Sequence, residues 1–544
     1  MVAIGMWTVL FGSPTWACGG FFCQTIPVEQ AAERVVFAVN ETANTTEMHV
    51  QVSYAGGAPE FAWIVPVSGV PDLFISADAL FSGLAFETKP LFALSYETDG
   101  TCRSPWSNRT DGADVTDVTD VDSDDNDGVD VIASRRVGPY ETVTLQANSS
   151  AELLAWLRAN QYQLPDALEP ALAPYVAANQ YFVALRLAND TNLGDLRPLG
   201  LRYAGTTPTI PIRLTSVAAT PDMRLEVFLF GQRRYVPESY LHVAINEALI
   251  SWTDGGSNYP AVITRAADEA GGHAFATDFA GSTSPFRDSF YPQEIDLSSL
   301  RGIDEAGDYV EALFNLGALP GTPDLLAALE AEIPVPASAV EDGYSAANFY
   351  DALARGSTAW DDELPPIDGD AVTDGIQAAV VDPLIAAERL VRDYPYLTRL
   401  TSSISPVEMT VDPSFVANDT MGDVAQVRQA TMRVECDGRV YEQGERRFTL
   451  SDGRVVWLPA YADMDTDDAT YLAGVDLGAA AERIESTGAS GPPSLMNDNL
   501  PGILAAIDLH NQGVRAGCGG CDGGGASAGW LALGLLGTTL RRRR

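Results

Sequence analysis

The chain is 544 residues long and carries 74 acidic against 33 basic side chains, a formal net charge of -41. So large an excess of acid argues against nucleic acid as a partner, because a phosphate polyanion is repelled over most of the surface. Hydrophobic residues at 46% exclude a wholly disordered chain, and 4 His with 6 Cys leave few ligands for a zinc or iron–sulfur site.

Residues 1–17 read as an export signal. Ile4 to Gly12 is an apolar run too short to span a bilayer, and Thr15 and Ala17 place small residues at −3 and −1 of a cleavage site after Ala17. No Lys or Arg precedes the run, a departure that points to an upstream start or a misassigned Met1. Cys18 directly after Ala17 raises a lipoprotein alternative, against which stands the bulky Trp16. From residue 34 to 67, RVVFAVN, MHVQVSYAG and FAWIVPV are rich in valine and aromatics and separated by Asn, Gly and Pro, the pattern of a β-meander.

Residues 111–131 form an acidic tract that reads as a disordered insertion. Within it, Ser123, Asp125, Asp127 and Gly128 match the start of a calcium loop, but Ser134 occupies the place of the bidentate Glu. A second cluster, Asp463, Asp465, Asp467 and Asp468, lacks the turn glycine. Solvation of an acidic surface explains both more simply than calcium. Residues 150–162 predict a helix capped by Ser149 or Ser150. Strands are predicted at 181–187, 210–217 and 223–230, and 238–250 is ambiguous between strand and helix. Helical patterns cover 298–332, 346–355 and 377–394, with a linker or exposed loop at 356–375. Strands return over 430–458, with turn signals at Asp437-Gly438 and Asp452-Gly453.

The tail has three parts. RAGCGGCD at Arg515 to Asp522 precedes a Gly/Ala/Ser spacer, then apolar WLALGLLGTTL at Trp530 to Leu540, then Arg541 to Arg544. The terminal arginines favour the cytoplasmic side, which puts the body of the protein on the far side. The order of parts resembles the myxobacterial C-terminal sorting signal MYXO-CTERM, which implies lipidation and processing at Cys518 or Cys521 by a dedicated membrane protease. The remaining cysteines, Cys18, Cys23, Cys102 and Cys436, read as disulfides in an oxidising compartment rather than as metal ligands. Four cysteines allow three connectivities; Cys18–Cys23 with Cys102–Cys436 is the favoured one.

No catalytic set is visible. The four histidines share no metal-ligand spacing, and there is no GxSxG elbow, Walker loop or GxGxxG. Glu408 and Asp412 are a carboxylate pair that could act with His273 in a dispersed hydrolase site.

ACGGFFC, PVEQAAERVVFAVN, FAWIVPV, GGHAFATDFAG at Gly271 to Gly281 and PYLTRLTSSISPVEMTVDPSF at Pro395 to Phe415 resemble the bacterial family catalogued as domain of unknown function 2330, from Ala17 to about residue 460. The resemblance implies no activity. The expected fold is α+β, with antiparallel β-rich N- and C-terminal regions, a helical middle and a short apolar C-terminal helix. After the signal at 1–17 the divisions are a β-rich part at 18–110, the insertion at 111–131 and a mixed part at 132–297. A mainly helical part at 298–400 and a β-rich part at 401–510 follow. A Cys/Gly-rich linker at 511–524, an apolar sorting or transmembrane helix at 525–540 and the Arg cluster at 541–544 close the chain. The leading expectation is an exported, cell-surface-anchored, non-catalytic ectodomain without a cofactor. Its partners would be the membrane through its tail, the sorting protease and a surface protein or glycan. The alternatives are the secreted hydrolase and a calcium-dependent adhesion protein.

Overall fold

The computed structural model describes residues 29–55, 62–99, 130–137, 140–160, 162, 168–187, 197–287, 295–317, 323–436, 439–464 and 466–518. Ten strands build the central sheet: β1 (Glu29–Asn40), β2 (Thr45–Ala55), β4 (Asp72–Ile75), β9 (Leu199–Ala204), β10 (Ala219–Gly231), β12 (Leu241–Ile245), β13 (Ala274–Ser282), β14 (Tyr396–Ile404), β19 (Ala481–Ser486) and β20 (Ser494–Asp498). Their order is β20-β19-β12-β13-β14-β10-β1-β2-β9-β4. Sheet membership thus joins residues from both ends of the chain, so the expected separate N- and C-terminal β regions are woven into one sheet. The pairing is mixed rather than antiparallel, with β1 parallel to β10 and β12 parallel to β13.

The continuous apolar run of β1 follows from burial on both faces. Val35, Phe37 and Val39 pack with Leu225, Val227, Tyr235 and Phe415 on one side. Val36 and Ala38 pack on the other with Leu80, Phe81, Leu84 and Leu390, which come from the helices Asp78–Thr88 and Asp382–Asp393.

Two four-stranded sheets flank this centre. One has the order β3 (Ala62–Val67), β8 (Tyr181–Leu187), β7 (Tyr140–Gln146) and β6 (Asp130–Val137), and its strands β3, β8 and β7 pack against the helices Ser150–Ala159 and Leu168–Ala177. The other holds β18 (Val455–Leu458), β17 (Glu445–Leu450), β16 (Val427–Glu435) and β5 (Leu91–Asp99), with β5 parallel to β16. A small pair, β11 (Tyr235–Pro237) and β15 (Phe415–Ala417), completes the β structure among the described residues. The helical part has its own core around Tyr309, Phe349, Tyr350, Trp360 and Val372.

Several local expectations hold. Ser149 caps the helix that begins at Ser150, its side chain accepting from the Glu152 amide, and Asp452-Gly453 turns β17 into β18 with Gly453 at φ 89°. Others need correction. Residues 210–217 form the short helix Ile212–Thr215 rather than a strand: the β pairing stops at the single bridge Thr209↔Ser414, where the Ile210 amide bonds to the Pro413 carbonyl, and Pro211 then leads into a helical turn. The end of 356–375 is helical, as part of the helix Gly369–Ile376. Asp368 caps it and Val372 and Ile376 bury one face, a signal hidden by the surrounding Pro, Asp and Gly. The ambiguous 238–250 is strand β12 followed by a 3-10 turn. At the C-terminal end the helix Leu500–Cys518 runs well past residue 511, into the stretch expected to be linker. The insertion core, the tail helix at 525–540 and the Asp437-Gly438 turn lie outside the described residues. No helix among the described residues is long and apolar enough to cross a membrane.

Candidate functional site

The site lies where β12 and β13 part. Their parallel ladder holds only at Leu241↔Ala274 and His242↔Phe275. Beyond that, β13 continues its pairing with β14, carries a bulge between Thr277 and Phe279, and makes a single bridge from Ala280 to Val424. Bulges of this kind re-aim side chains and recur beside functional sites. Arg428, from β16, spans the region, donating to the backbone carbonyls of Thr277 and Asp278 at 3.2 and 3.5 Å. A cavity of about 570 Å³ results, lined by Arg234, His242, Thr277, Arg428, Arg454 and Glu485 among others.

One polar line crosses its wall. His242 and Glu485 face each other across the β12–β19 ladder, with His242 Nδ1 3.1 Å from Glu485 Oε2. His242 Nε2 lies 3.0 Å from Thr277 Oγ1, and Arg234 Nη2 donates to that hydroxyl oxygen at 3.0 Å. Because Thr277 accepts from Arg234, its own hydrogen is free to point at Nε2. His242 then accepts there and donates from Nδ1 to Glu485. The hydrogen bond from His242 is the main reason that the Glu485 carboxyl sits below its ordinary range, against the opposing effect of burial. Arg234 is 6% exposed and donates Nη1 to the Gly422 carbonyl at 2.7 Å, while its Nε finds no partner. Burial lowers the Arg234 pKa.

Behind the bulge is a second, drier cluster. Asp278 is fully buried and accepts from Tyr259 and from Thr401 at 2.5 Å, and Arg399 Nε lies 3.1 Å away. Arg399 also donates to Glu226 at 3.0 Å, and Glu226 accepts from Arg34 at 2.8 Å. Burial raises the Asp278 pKa, and Arg399 opposes it. This network lines a cavity of about 380 Å³ bounded by Phe92, Gly256 and Tyr259. Its carboxylates are fully engaged with one another's cations, the arrangement of a structural core network rather than of a vacant binding site.

The residues singled out by sequence fall elsewhere. His273 Nε2 meets Thr410 Oγ1 at 3.1 Å, so it does touch the 405–415 segment. Glu408, however, closes a capping box with Ser405, and Asp412 accepts from Tyr175 and from the Arg213 amide. None of the three lines either cavity. Asp467 caps the helix Asp468–Ala473, Asp468 forms a two-pronged pair with Arg446, and Asp463 is exposed. Among the described residues no three His, Cys, Asp or Glu side chains converge to hold a metal ion. Asp125, Asp127 and Asp465 lie outside those residues, as do Ala17, Cys18, Cys23, Cys102 and Cys521. Cys436 is buried and disulfide-bonded, and Cys518 ends the last helix.

Arg234, Thr277, His242 and Glu485 were missed in sequence because 251 positions separate the outermost two and no spacing rule links them. Asp278 left one legible trace: a lone carboxylate inside the apolar stretch AFATDFAG.

Fold and cavity together define a mixed α+β protein with a polar, arginine-rich pocket at a bulged strand. The chain belongs to the bacterial family DUF2330, described as an uncharacterized protein conserved in bacteria, which matches residues 14–344. The match includes Arg234, His242 and Thr277 and stops short of Arg428 and Glu485, and of residue 460, where the resemblance of the sequence motifs ends. No curated protein matches the chain. Among solved structures, baculovirus P35 is 11% identical over 39% of this chain and 66% of that one, with a TM-score of 0.22. At that level nothing about function carries over.

Proposed function

We propose that the chain is an exported, surface-anchored ectodomain that binds a small polar ligand in the cavity beside β12 and β13. The observation that carries the binding role is the ordered line Arg234–Thr277–His242–Glu485 on the wall of a ligand-sized cavity. Export is supported by the sequence ahead of Cys18, by the MYXO-CTERM-like tail at Cys518 and Cys521, and by the disulfide at Cys436, which an oxidising compartment would preserve. Anchoring would proceed by lipid attachment to a tail cysteine and removal of the segment beyond it.

Intact-mass analysis of the protein from fractionated native cells tests the export reading. The expected species lacks residues 1–17 and the segment after Cys518 or Cys521, and carries a lipid on that cysteine. A full-length, unmodified chain in the cytosol overturns it. Native mass spectrometry tests the binding role. A small-molecule adduct is expected on the wild type and absent from Met421→Trp, which fills the cavity from its lining. Equal spectra for the two overturn it.

A second reading is favoured by the same line of side chains. Thr277, His242 and Glu485 stand in the order of nucleophile, base and orienting carboxylate, as an acyl-transfer enzyme requires. An activated ester that acylates Thr277 in the wild type, and not in His242→Gln, would make this the correct one.

A further inference from the structure

We propose that the ligand of this cavity is a monocarboxylate, held by the guanidinium of Arg234. The inference rests on the binding role above and names the chemistry of its ligand.

The charge on the cavity wall decides the class. Three of its four arginines have a carboxylate partner. Arg428 lies 3.3 Å from Glu247, Arg454 lies 2.7 Å from Glu482, and Arg483 lies 3.6 Å from Glu485. Arg234 has none within 4.0 Å among the described residues, although it is more than nine-tenths buried. A buried cation with no carboxylate within bonding distance leaves its desolvation uncompensated, and the Arg234 side chain lines the cavity. Arg234 nevertheless does not bond to a carboxylate that the wall already holds. One such carboxylate, Glu485, is bonded to His242.

A ligand carboxylate completes this set. Guanidinium and carboxylate are both planar, and the pair forms two parallel N–H···O bonds. Arg428, which lines the same cavity, is already engaged with Glu247 and the Thr277 carbonyl, which leaves Arg234 as the cation for the ligand. One negative charge is the limit. Arg428, Arg454 and Arg483 are already paired with Glu247, Glu482 and Glu485, so Arg234 alone remains to balance a ligand charge. That excludes a phosphate monoester, which carries close to two charges at neutral pH. The volume, about 570 Å³, accommodates a carboxylate with a substantial organic remainder.

Calorimetric titration of the full chain with acetate, benzoate and N-acetylglycine, with inorganic phosphate and glucose as comparators, tests the proposal. The larger carboxylates are expected to bind more tightly than acetate, and phosphate neither to bind nor to compete. Arg234→Gln should weaken benzoate binding at least about tenfold, the scale of a lost charged hydrogen bond. Arg234→Lys should restore it only in part, because an ammonium lacks the fork. Since Arg234 also ties down Gly422, circular dichroism accompanies each variant. Met421→Trp, which leaves Arg234 in place, should abolish binding in a folded protein. Phosphate binding as tight as benzoate overturns the proposal, as does benzoate binding that survives in folded Arg234→Gln. Glucose binding that Met421→Trp abolishes, with no carboxylate bound, overturns the ligand class and leaves the binding role intact. Benzoate that binds equally well to Met421→Trp overturns the cavity as the site and the binding role with it.

Discussion

At the residue scale, burial and partner geometry determine what each charge does. Glu47 and Arg202 face each other across β2 and β9, and Glu47 accepts at 2.6 Å from Arg202 while meeting His49 at 3.2 Å. Burial alone would raise the Glu47 pKa. The hydrogen bonds and charges of His49 and Arg202 outweigh it and bring the group from 4.5 to about 2. A depressed folded pKa adds stability above the unfolded value, and that stability is lost as pH falls through the folded one. Glu47→Gln should therefore cost about 3 kcal/mol at pH 7 and converge with the wild type towards pH 2, as read by urea unfolding. A pH-independent difference would show that the loss is one of packing. Arg446 poses a sharper case. It is fully buried, grips Asp468 at 2.9 and 3.1 Å and lies 3.6 Å over the Tyr461 ring. Arg446→Met leaves Asp468 charged and unpaired in the core, at a cost of about 3–5 kcal/mol. Adding Asp468→Leu should return most of that stability, which a denaturation series on the two variants would measure.

At the element scale, strands distant in sequence hold each other in place. β5 joins β16 in parallel register up to Glu435↔Asp99, and the Cys436 amide donates to the Asp99 carbonyl. Cys102 follows Asp99 by three positions, a reach of at most about 10 Å. Cys102 is therefore the expected partner in the Cys436 disulfide, to be read as a linked peptide pair on non-reducing digestion. Its reduction should lower stability by about 2–4 kcal/mol, seen as a shift in the urea midpoint. A linked pair of Cys18 or Cys23 with Cys436 would refute the assignment. The bulge in β13 acts at the same scale. It places Thr277 in the larger cavity and commits Asp278 to the network with Tyr259, Thr401 and Arg399, so that adjacent residues serve a pocket and a core.

At the scale of the whole molecule, the net charge of -41 is a standing repulsion that the fold must overcome. Raising sodium chloride from about 0.02 to about 0.5 M should screen it and raise the melting temperature by a few degrees. A fall on adding salt would mean that the local ion pairs outweigh the global field. Composition, the alternating and apolar runs of β1, β8 and β10, the Ser149 cap and the turn at Asp452-Gly453 were all legible in sequence. Each depends on neighbours within a few positions, where side-chain period and backbone preference act directly. The mixed α+β class followed from the same local signals. The sheet order, which places β14 beside β10 and β19 beside β12 from the first half of the chain, was not legible, because pairing over more than a hundred residues leaves no local pattern. Nor was the site. His242, Thr277 and Glu485 are ordinary strand residues until β12, β13 and β19 lie side by side, and Arg234 becomes an unpaired buried cation only when the sheet closes around it. The sequence by itself determined most of the strands and helices, though not the helices Ile212–Thr215 and Gly369–Ile376, since that choice is made largely by nearest neighbours. Only the tertiary structure decided which charges meet, because Coulomb and hydrogen-bond energies depend on distance in space and on exclusion of water.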